Sequence, residues 1–427
     1  MSRRAVLWIA FAVVHVGVAV LGWFMPNQPM GDVYLVYEKW SGAWFHGGWY
    51  GVGAHDAPQY VGLVGIDTPW VYPQLALVPM LLAWIPGWLV SYTPGWAVMV
   101  VAVDAVAFAV LVGRGRSRGR NRAAAFWLLF LALLGPVALY RIDAVTVPLA
   151  ILGCVWLRGR PWAASALLAV ATWIKVWPAA LLAAAVIAIR RRGAVIGAAA
   201  AVSATTLAAV AAAGGAAFAF GFVSDQTGRD LQVEAPVSTP YLWDYMLGGS
   251  SYTYYDPDLL TFEVSGPGVN PVIAVMTPLL AVAMLVVVGI GTVKVTRRAA
   301  FAALFPPLAL ALVAALIVFN KVGSPQYMVW LVAPVVVGLV LDRRKWRAPA
   351  ILALVAAAAT QMVYPLTYFD LLIVSPLPVV VITIRNIVLV ALFAWGLTML
   401  LRVPVRATRP AEPALAEPAL QLDAERS

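Results

Sequence analysis

Long apolar runs separated by short polar interruptions dominate the chain. Runs of membrane-spanning length fall near residues 5–25, 95–112, 123–140, 143–158, 161–175, 178–191, 194–222, 270–293, 299–319, 326–341, 348–365 and 379–402. A helical span needs about 20 apolar residues. The pattern therefore predicts an all-α polytopic membrane protein, a bundle of about 12 transmembrane helices. Residues 69–90 (PWVYPQLALVPMLLAWIPGWLV) are apolar enough to add another, but a full crossing there would invert every later assignment. Pro73, Pro79 and Pro86-Gly87 punctuate the stretch, so a re-entrant or interfacial segment is expected. The apolar stretch from 161 to 191 is expected to break at Lys175-Val176-Trp177-Pro178, giving two short helices of roughly 22 Å each.

Two polar segments interrupt the apolar runs, near 26–68 and 222–270. Both are rich in Trp, Tyr, Gly and Asp. Aromatic rings stack on sugar faces and carboxylates accept hydroxyl hydrogen bonds, so these segments suit sugar binding. An interfacial aromatic belt accounts for the same composition. The first run, behind Arg3 and Arg4, resembles a signal sequence. It is too long for one and has no small-residue cleavage site, so an uncleaved first span is expected. Residues 1–403 read as one membrane domain and 404–427, rich in Ala, Pro and Glu, as a disordered cytoplasmic tail.

Charge fixes the orientation. Lys and Arg number 29 against 19 Asp and Glu. Most fall in the clusters Arg114–Arg122, Arg158/Arg160, Arg190–Arg192, Lys294/Arg297/Arg298 and Arg343–Arg347. Cytoplasmic loops favour such clusters, which places them and both termini inside a cell membrane. Lys39, Arg141, Lys175, Arg229, Lys321 and Arg385 are then the six exceptions. A mean hydropathy of +0.88 excludes a soluble globular protein. The net charge of +10 is spread over inner loops without a single stripe, which argues against nucleic acid as a partner and for anionic lipid. One cysteine, Cys154, and three histidines offer neither a disulfide framework nor zinc-ligand spacing. No metal and no cofactor is implied.

Ionisable residues at membrane depth cost a few kcal/mol each and default to functional hypotheses. Asp32 (in GDVYLVYEKW), Arg141 and Asp143 (YRID), Lys175 (WIKVWP), Arg229 and Glu234 (GRDLQVEAP), Lys321, Gln326 and Tyr327 (NKVGSPQYMVW) and Arg385 all face outward at span ends. One isolated carboxylate among several cations suits transfer of a sugar from a lipid phosphate. Cations stabilise charge on the leaving phosphate, so no general acid is needed, and one carboxylate serves as base for the acceptor hydroxyl. Plainer readings stand beside this one. Asp32 caps a short helix or is a solvated loop residue. Arg141 and Asp143 form a mutual ion pair. Lys175 snorkels to the interface. Lys321 caps a helix end or pairs with a loop acid. Asp256-Pro257-Asp258 reads as a turn rather than a metal site, and Asp104 as a buried structural group.

Taken in order, GDVYLVYEKW, WVYPQLALVP, RID, IKVWP, LQVEAP, SPQYMVWLVAP and Arg385-Asn386 resemble glycosyltransferase family 87, membrane mannosyltransferases of the GT-C superfold. The resemblance spans roughly residues 30 to 390. It implies an inverting glycosyltransferase that uses polyprenyl-phosphate-mannose and transfers on the outer face to a glycolipid or cell-envelope glycan. It also implies Asp32 as catalytic aspartate, by its position after the first span. Arg141, Lys175, Lys321, Arg229 and Arg385 are then expected at the donor phosphate, with Asp143, Glu234, Gln326 and Tyr327 orienting sugar hydroxyls or those cations. The family's Tyr-Pro is often followed by a second Pro; here Gln74 follows. A transporter or flippase for an anionic lipid or sugar is the alternative from another class, since a cationic cavity between broken helices fits it as well.

Overall fold

A computed structural model describes residues 2–51, 58–223, 229–257 and 260–405. The helices are α1 (Arg3–Leu21), α2 (Glu38–Trp44), α3 (Leu77–Leu82), α4 (Trp84–Val90), α5 (Tyr92–Val112), α6 (Arg118–Leu134), α7 (Asp143–Trp156), α8 (Pro161–Ile174), α9 (Ala179–Ala188), α10 (Arg192–Ala212), α11 (Thr239–Met246), α12 (Val269–Thr296), α13 (Phe301–Val318), α14 (Val332–Leu341), α15 (Arg347–Gln361), α16 (Tyr368–Leu372) and α17 (Pro376–Leu401). Local signals set several starts. The Ser2 and Ser117 hydroxyls accept from the amides of Ala5 and Arg120 at α1 and α6. Pro161 and Pro376 stand at the first positions of α8 and α17, where a missing N–H costs nothing.

Among the described residues, eight helices are long and apolar enough to cross a membrane: Arg3–Leu21, Tyr92–Val112, Arg118–Ala138, Arg192–Ala212, Val269–Thr296, Phe301–Val318, Arg347–Leu366 and Pro376–Leu401. The remaining expected spans are the shorter apolar helices Asp143–Trp156, Pro161–Ile174, Ala179–Ala188 and Pro325–Leu341. Shortness is tolerated where protein rather than lipid surrounds a helix. Nearly every residue of α7 is buried, whereas α12 exposes apolar side chains all round. The break at Lys175 is present: its backbone is extended and α9 begins after Pro178.

The segment Gln74–Val90 forms a kinked helical stretch from α3 and α4. Its end doubles back on the start of α5, where Gly95 packs against Ala83 and Gly87. Its beginning packs on the end of α8. Gln74, in the place of the second proline, donates to the Phe218 carbonyl at 3.0 Å and closes over Gly65.

The two polar segments are structured. In the first, a π-helical turn, Asp32–Tyr37, runs directly into α2, and β1 (Trp49–Tyr50) pairs antiparallel with β2 (Gln59–Tyr60). In the second, β3 (Tyr252–Asp256) pairs antiparallel with β4 (Thr261–Ser265), from Tyr252 opposite Ser265 to Asp256 opposite Thr261. The chain around Leu231–Val233 adds along β4 through Val264 N to Leu231 O and Val233 N to Phe262 O. Asp258 and His55 fall outside the described residues, as does the tail from residue 406.

The loops that carry basic clusters gather away from these segments. Gly115 abuts Arg4, Gly119 abuts the carbonyls of Leu339 and Val340, and Lys294 Nζ donates to Leu401 O and Val403 O. At the opposite ends, a cluster of Val33, Tyr37, Trp70, Trp96 and Tyr140 meets one built from Leu231, Val264, Val363 and Ile382. The candidate site lies where those two clusters meet.

Candidate active site

Asp32 opens the π turn, and Arg141 lies in the short break between α6 and α7. Arg141 Nη1 sits 2.5 Å from Asp32 Oδ1. Arg141 is buried, while Asp32 keeps about a third of its side chain exposed (34%). The Tyr37 hydroxyl donates to Asp32 Oδ2 at 3.3 Å and accepts the Ile142 amide at 3.1 Å, which fixes one loop against the other. On its far side Arg141 Nη2 donates to the Tyr364 hydroxyl at 3.0 Å. That hydroxyl in turn donates to the Asn27 carbonyl at 3.2 Å. Tyr364 lies in a second π turn, Met362–Leu366. Wide turns of this kind re-aim side chains and recur at functional sites; here two of them flank one guanidinium.

Lys175 continues the site. Its Nζ lies 4.6 Å from the centre of the Tyr72 ring, a cation–π contact. Asp143, Arg229, Asp32 and Arg141 are all within its electrostatic reach. Asp143 is fully buried; Trp330 Nε1 donates to its Oδ1 at 2.6 Å and its Oδ2 has no partner among the described residues. Trp330 stacks between Trp177, at 5.9 Å and 11°, and Tyr327, at 4.0 Å and 26°. Trp177 Nε1 is anchored on the Thr146 hydroxyl at 2.9 Å. This column of rings sets the height of Asp143. Arg229 is half-buried and, like Arg141, has a buried Nε without a partner among the described residues. Buried donors left open are rare and call for an explanation.

Arg385, expected at the phosphate, is committed elsewhere. It is buried, and its Nε and Nη2 donate to Asn386 Oδ1, Nη1 to the Gly323 carbonyl and Nη2 to the Glu234 carbonyl. Asn386 Nδ2 donates to the Thr239 hydroxyl at 2.8 Å. The pair staples α17 to the loops before α11 and after α13. Gln232 joins the same knot through Gly323 N, at 3.1 Å, and its own amide on Lys321 O. A Cβ on Gly323 would overlap the Ala235 amide nitrogen, so the chain passes there without a side chain. Glu234 bonds the Tyr368 hydroxyl; burial pushes its carboxyl above the ordinary range, with that bond and Arg385 opposing. Tyr368 meets Tyr364 edge-on at 5.1 Å, which links this knot to Arg141.

Lys321 lies among carboxylates, as one of its plainer readings had it. Burial holds its amine below the ordinary lysine value, and Asp230 and Glu263 offset part of that. The Tyr254 hydroxyl bridges those two acids, 3.0 Å from Asp230 and 2.9 Å from Glu263. Gln326 is half-buried beside Tyr327. Arg141 pairs with Asp32 rather than with its neighbour Asp143, and Asp104 hydrogen-bonds His15 at 3.1 Å, far from the other charges in a different pair of helices. Lys39 donates to Gln59 Oε1 at 3.3 Å on the surface. The structure thus brings Asp32, Arg141, Asp143, Lys175, Arg229 and Tyr327 together and sets Glu234 beside them. Arg385 and Lys321 stand one layer away.

Tyr37, Trp177, Trp330, Tyr364 and Glu263 carry much of this geometry and were not singled out from the sequence. Each is an outward aromatic or acid within a few residues of an expected site residue or of a proline break, which is the signal that could have found them.

No curated protein matches the chain. Residues 70–235 match the model of Glycosyltransferase family 87. The match covers Tyr72, Arg141, Asp143, Lys175, Arg229 and Glu234, whereas Asp32, Lys321, Trp330 and Tyr364 lie outside it. Residues 70–235, which supply Arg141, Lys175 and Arg229 of the site, are thus similar to glycosyltransferase family 87.

Proposed function

We propose that the protein is an inverting glycosyltransferase. It moves a sugar, mannose in the family's usual chemistry, from a polyprenyl-phosphate donor to a hydroxyl of a glycolipid or cell-envelope glycan. The reaction takes place on the extracytoplasmic face of the cell membrane, with both termini cytoplasmic. The observation that carries this reading is the half-exposed Asp32 held by Arg141 beside Lys175 and Arg229.

Asp32 takes the proton of the acceptor hydroxyl. The freed oxygen lone pair attacks C1 of the sugar from the face opposite the phosphate, the C1–O bond breaks, and its electrons stay on the phosphate oxygen. Lys175 and Arg229 neutralise the charge that grows there, with the open donors of Arg141 as a further contact. Charge-assisted bonds to phosphate are about twice as strong as neutral ones. Asp143, buried without a counter-donor on Oδ2, holds Lys175 and orients the sugar with Tyr327. Arg385 and Glu234 support the pocket wall. Lys321 contributes through the carboxylates around it.

The test is direct. Purified protein is incubated with radiolabelled polyprenyl-phosphate-mannose and membrane glycolipids, and the labelled product is measured. Transfer that is lost in Asp32→Asn supports the reading; transfer that persists in that variant removes Asp32 as the base.

A further inference from the structure

The far end of the bundle holds a second cationic site that the reaction does not use. Three loops meet there: α7–α8, α9–α10 and α12–α13. They enclose a cavity of about 830 Å³ lined by Arg158, Arg190, Arg191 and Arg298 over an apolar floor that includes Leu157, Ile189 and Phe301. No carboxylate lines it. Sequence makes that imbalance deliberate: no Asp or Glu occurs between Asp143 and Asp225, or between Glu263 and Asp342. No ion pair among the described residues engages any of the four arginines.

Arg298 supplies a second, independent observation. It closes the end of α12 with φ +60°, in the left-handed region, and lets the Ala299 amide reach back to the Lys294 carbonyl. A helix end of this shape favours glycine, because a Cβ costs about 1 kcal/mol there. An arginine at that position keeps a strained backbone and places a guanidinium in the cavity lining. Arg158 comes from a second loop and the adjacent Arg190 and Arg191 from a third, so the tertiary fold brings together charge that no single loop supplies.

We infer that this cavity binds the phosphodiester headgroup of an anionic phospholipid. The arginines match phosphate oxygens in bidentate fashion, and the apolar floor receives the glycerol and upper acyl carbons. Its volume falls in the range of small-ligand sites, and basic pockets between helices are known settings for acidic headgroups. The inference stands apart from the transfer reaction, and its residues touch no part of the proposed active site.

The experiment uses the full chain in detergent. Native mass spectrometry and melting temperature are read with phosphatidylglycerol, with phosphatidylcholine, and with inorganic phosphate alone. Expected are retention of phosphatidylglycerol over phosphatidylcholine and a rise in melting temperature with the former. The combined Arg158→Gln, Arg191→Gln and Arg298→Gln substitutions weaken retention at least tenfold. Should that variant fold poorly, Arg298→Gly serves, since glycine accepts the left-handed backbone: it melts no lower than wild type and retains several-fold less lipid. Equal retention by Arg298→Gly, or a melting shift that inorganic phosphate reproduces in full, overturns the inference.

Discussion

Arg141 holds Asp32 with one nitrogen at 2.5 Å and Tyr364 with another at 3.0 Å, so a single buried guanidinium joins the first loop to the eleventh long or short span. Asp32 is thereby fixed in place while a third of it remains open to an incoming hydroxyl. Asp32→Asn removes the proposed base and leaves a group of the same shape beside Arg141. Transfer is expected to fall by about 10²–10⁴-fold, the usual contribution of general base catalysis. Product formation from labelled donor, read beside an unchanged melting temperature, checks it.

Lys175 combines a ring contact on Tyr72 with the role at the donor phosphate that the proposed reaction gives it. Lys175→Ala is expected to raise the donor KM about 10–100-fold, the worth of one or two charge-assisted bonds. Acceptor KM should stay near wild type. A donor titration at saturating acceptor separates the two.

Trp330 is a positioning residue. Trp330→Phe keeps a ring between Trp177 and Tyr327 but removes the N–H that Asp143 accepts at 2.6 Å. A buried carboxylate loses its donor, at a cost of about 1–3 kcal/mol in stability. The donor KM should rise while kcat changes less, because the proposed reaction places Asp143 on the cation and the sugar rather than on the reacting oxygen. Steady-state kinetics and thermal melting read both effects.

Gly323→Ala is expected to damage folding rather than chemistry. The added Cβ meets the Ala235 backbone, which cannot yield as a side chain would, and it displaces the carbonyl that Arg385 holds. Overpacking of this kind costs about 1–3 kcal/mol. A lower melting temperature and a poor yield of folded protein are the readouts.

Glu263 gives a pH dependence of defined sign. It is buried at 2% exposure. Burial first, then Asp230 and Asp256, hold its carboxyl above the ordinary 4.5, with hydrogen bonds from Tyr254 and Thr261 opposing. The folded protein then binds more protons than the unfolded chain as pH climbs from about 4.5 through the raised value, and stability falls across that window. Glu263→Gln should flatten the fall. Melting temperature against pH in wild type and variant measures it.

Much of this could be read from residue order. The break at Lys175 follows from Pro178 and from the basic clusters at both ends of one apolar stretch. Asp32, Arg141 and Lys175 stand out because ionised groups are rare in apolar surroundings. Arg385 shows where such reading stops. Its residue type and depth match Arg141, yet its donors go to Gly323 and Glu234 carbonyls, and only the path of the backbone around it decides between ligand and clamp. Tyr364 and Trp330 were illegible for a related reason: aromatic residues are common at span ends, and what distinguishes these two is a partner 223 or 187 positions away. The π turns add register shifts that a 3.6-residue period does not announce.

The hydroxyl of Tyr364 also touches Asn27, so the beginning and the last third of the polypeptide are knotted at one oxygen. A chain emerging from the ribosome has no such partner for Arg141 until nearly all of it has been threaded into the bilayer. The contact that steadies Arg141 from its far side is thus among the last that the growing chain can make.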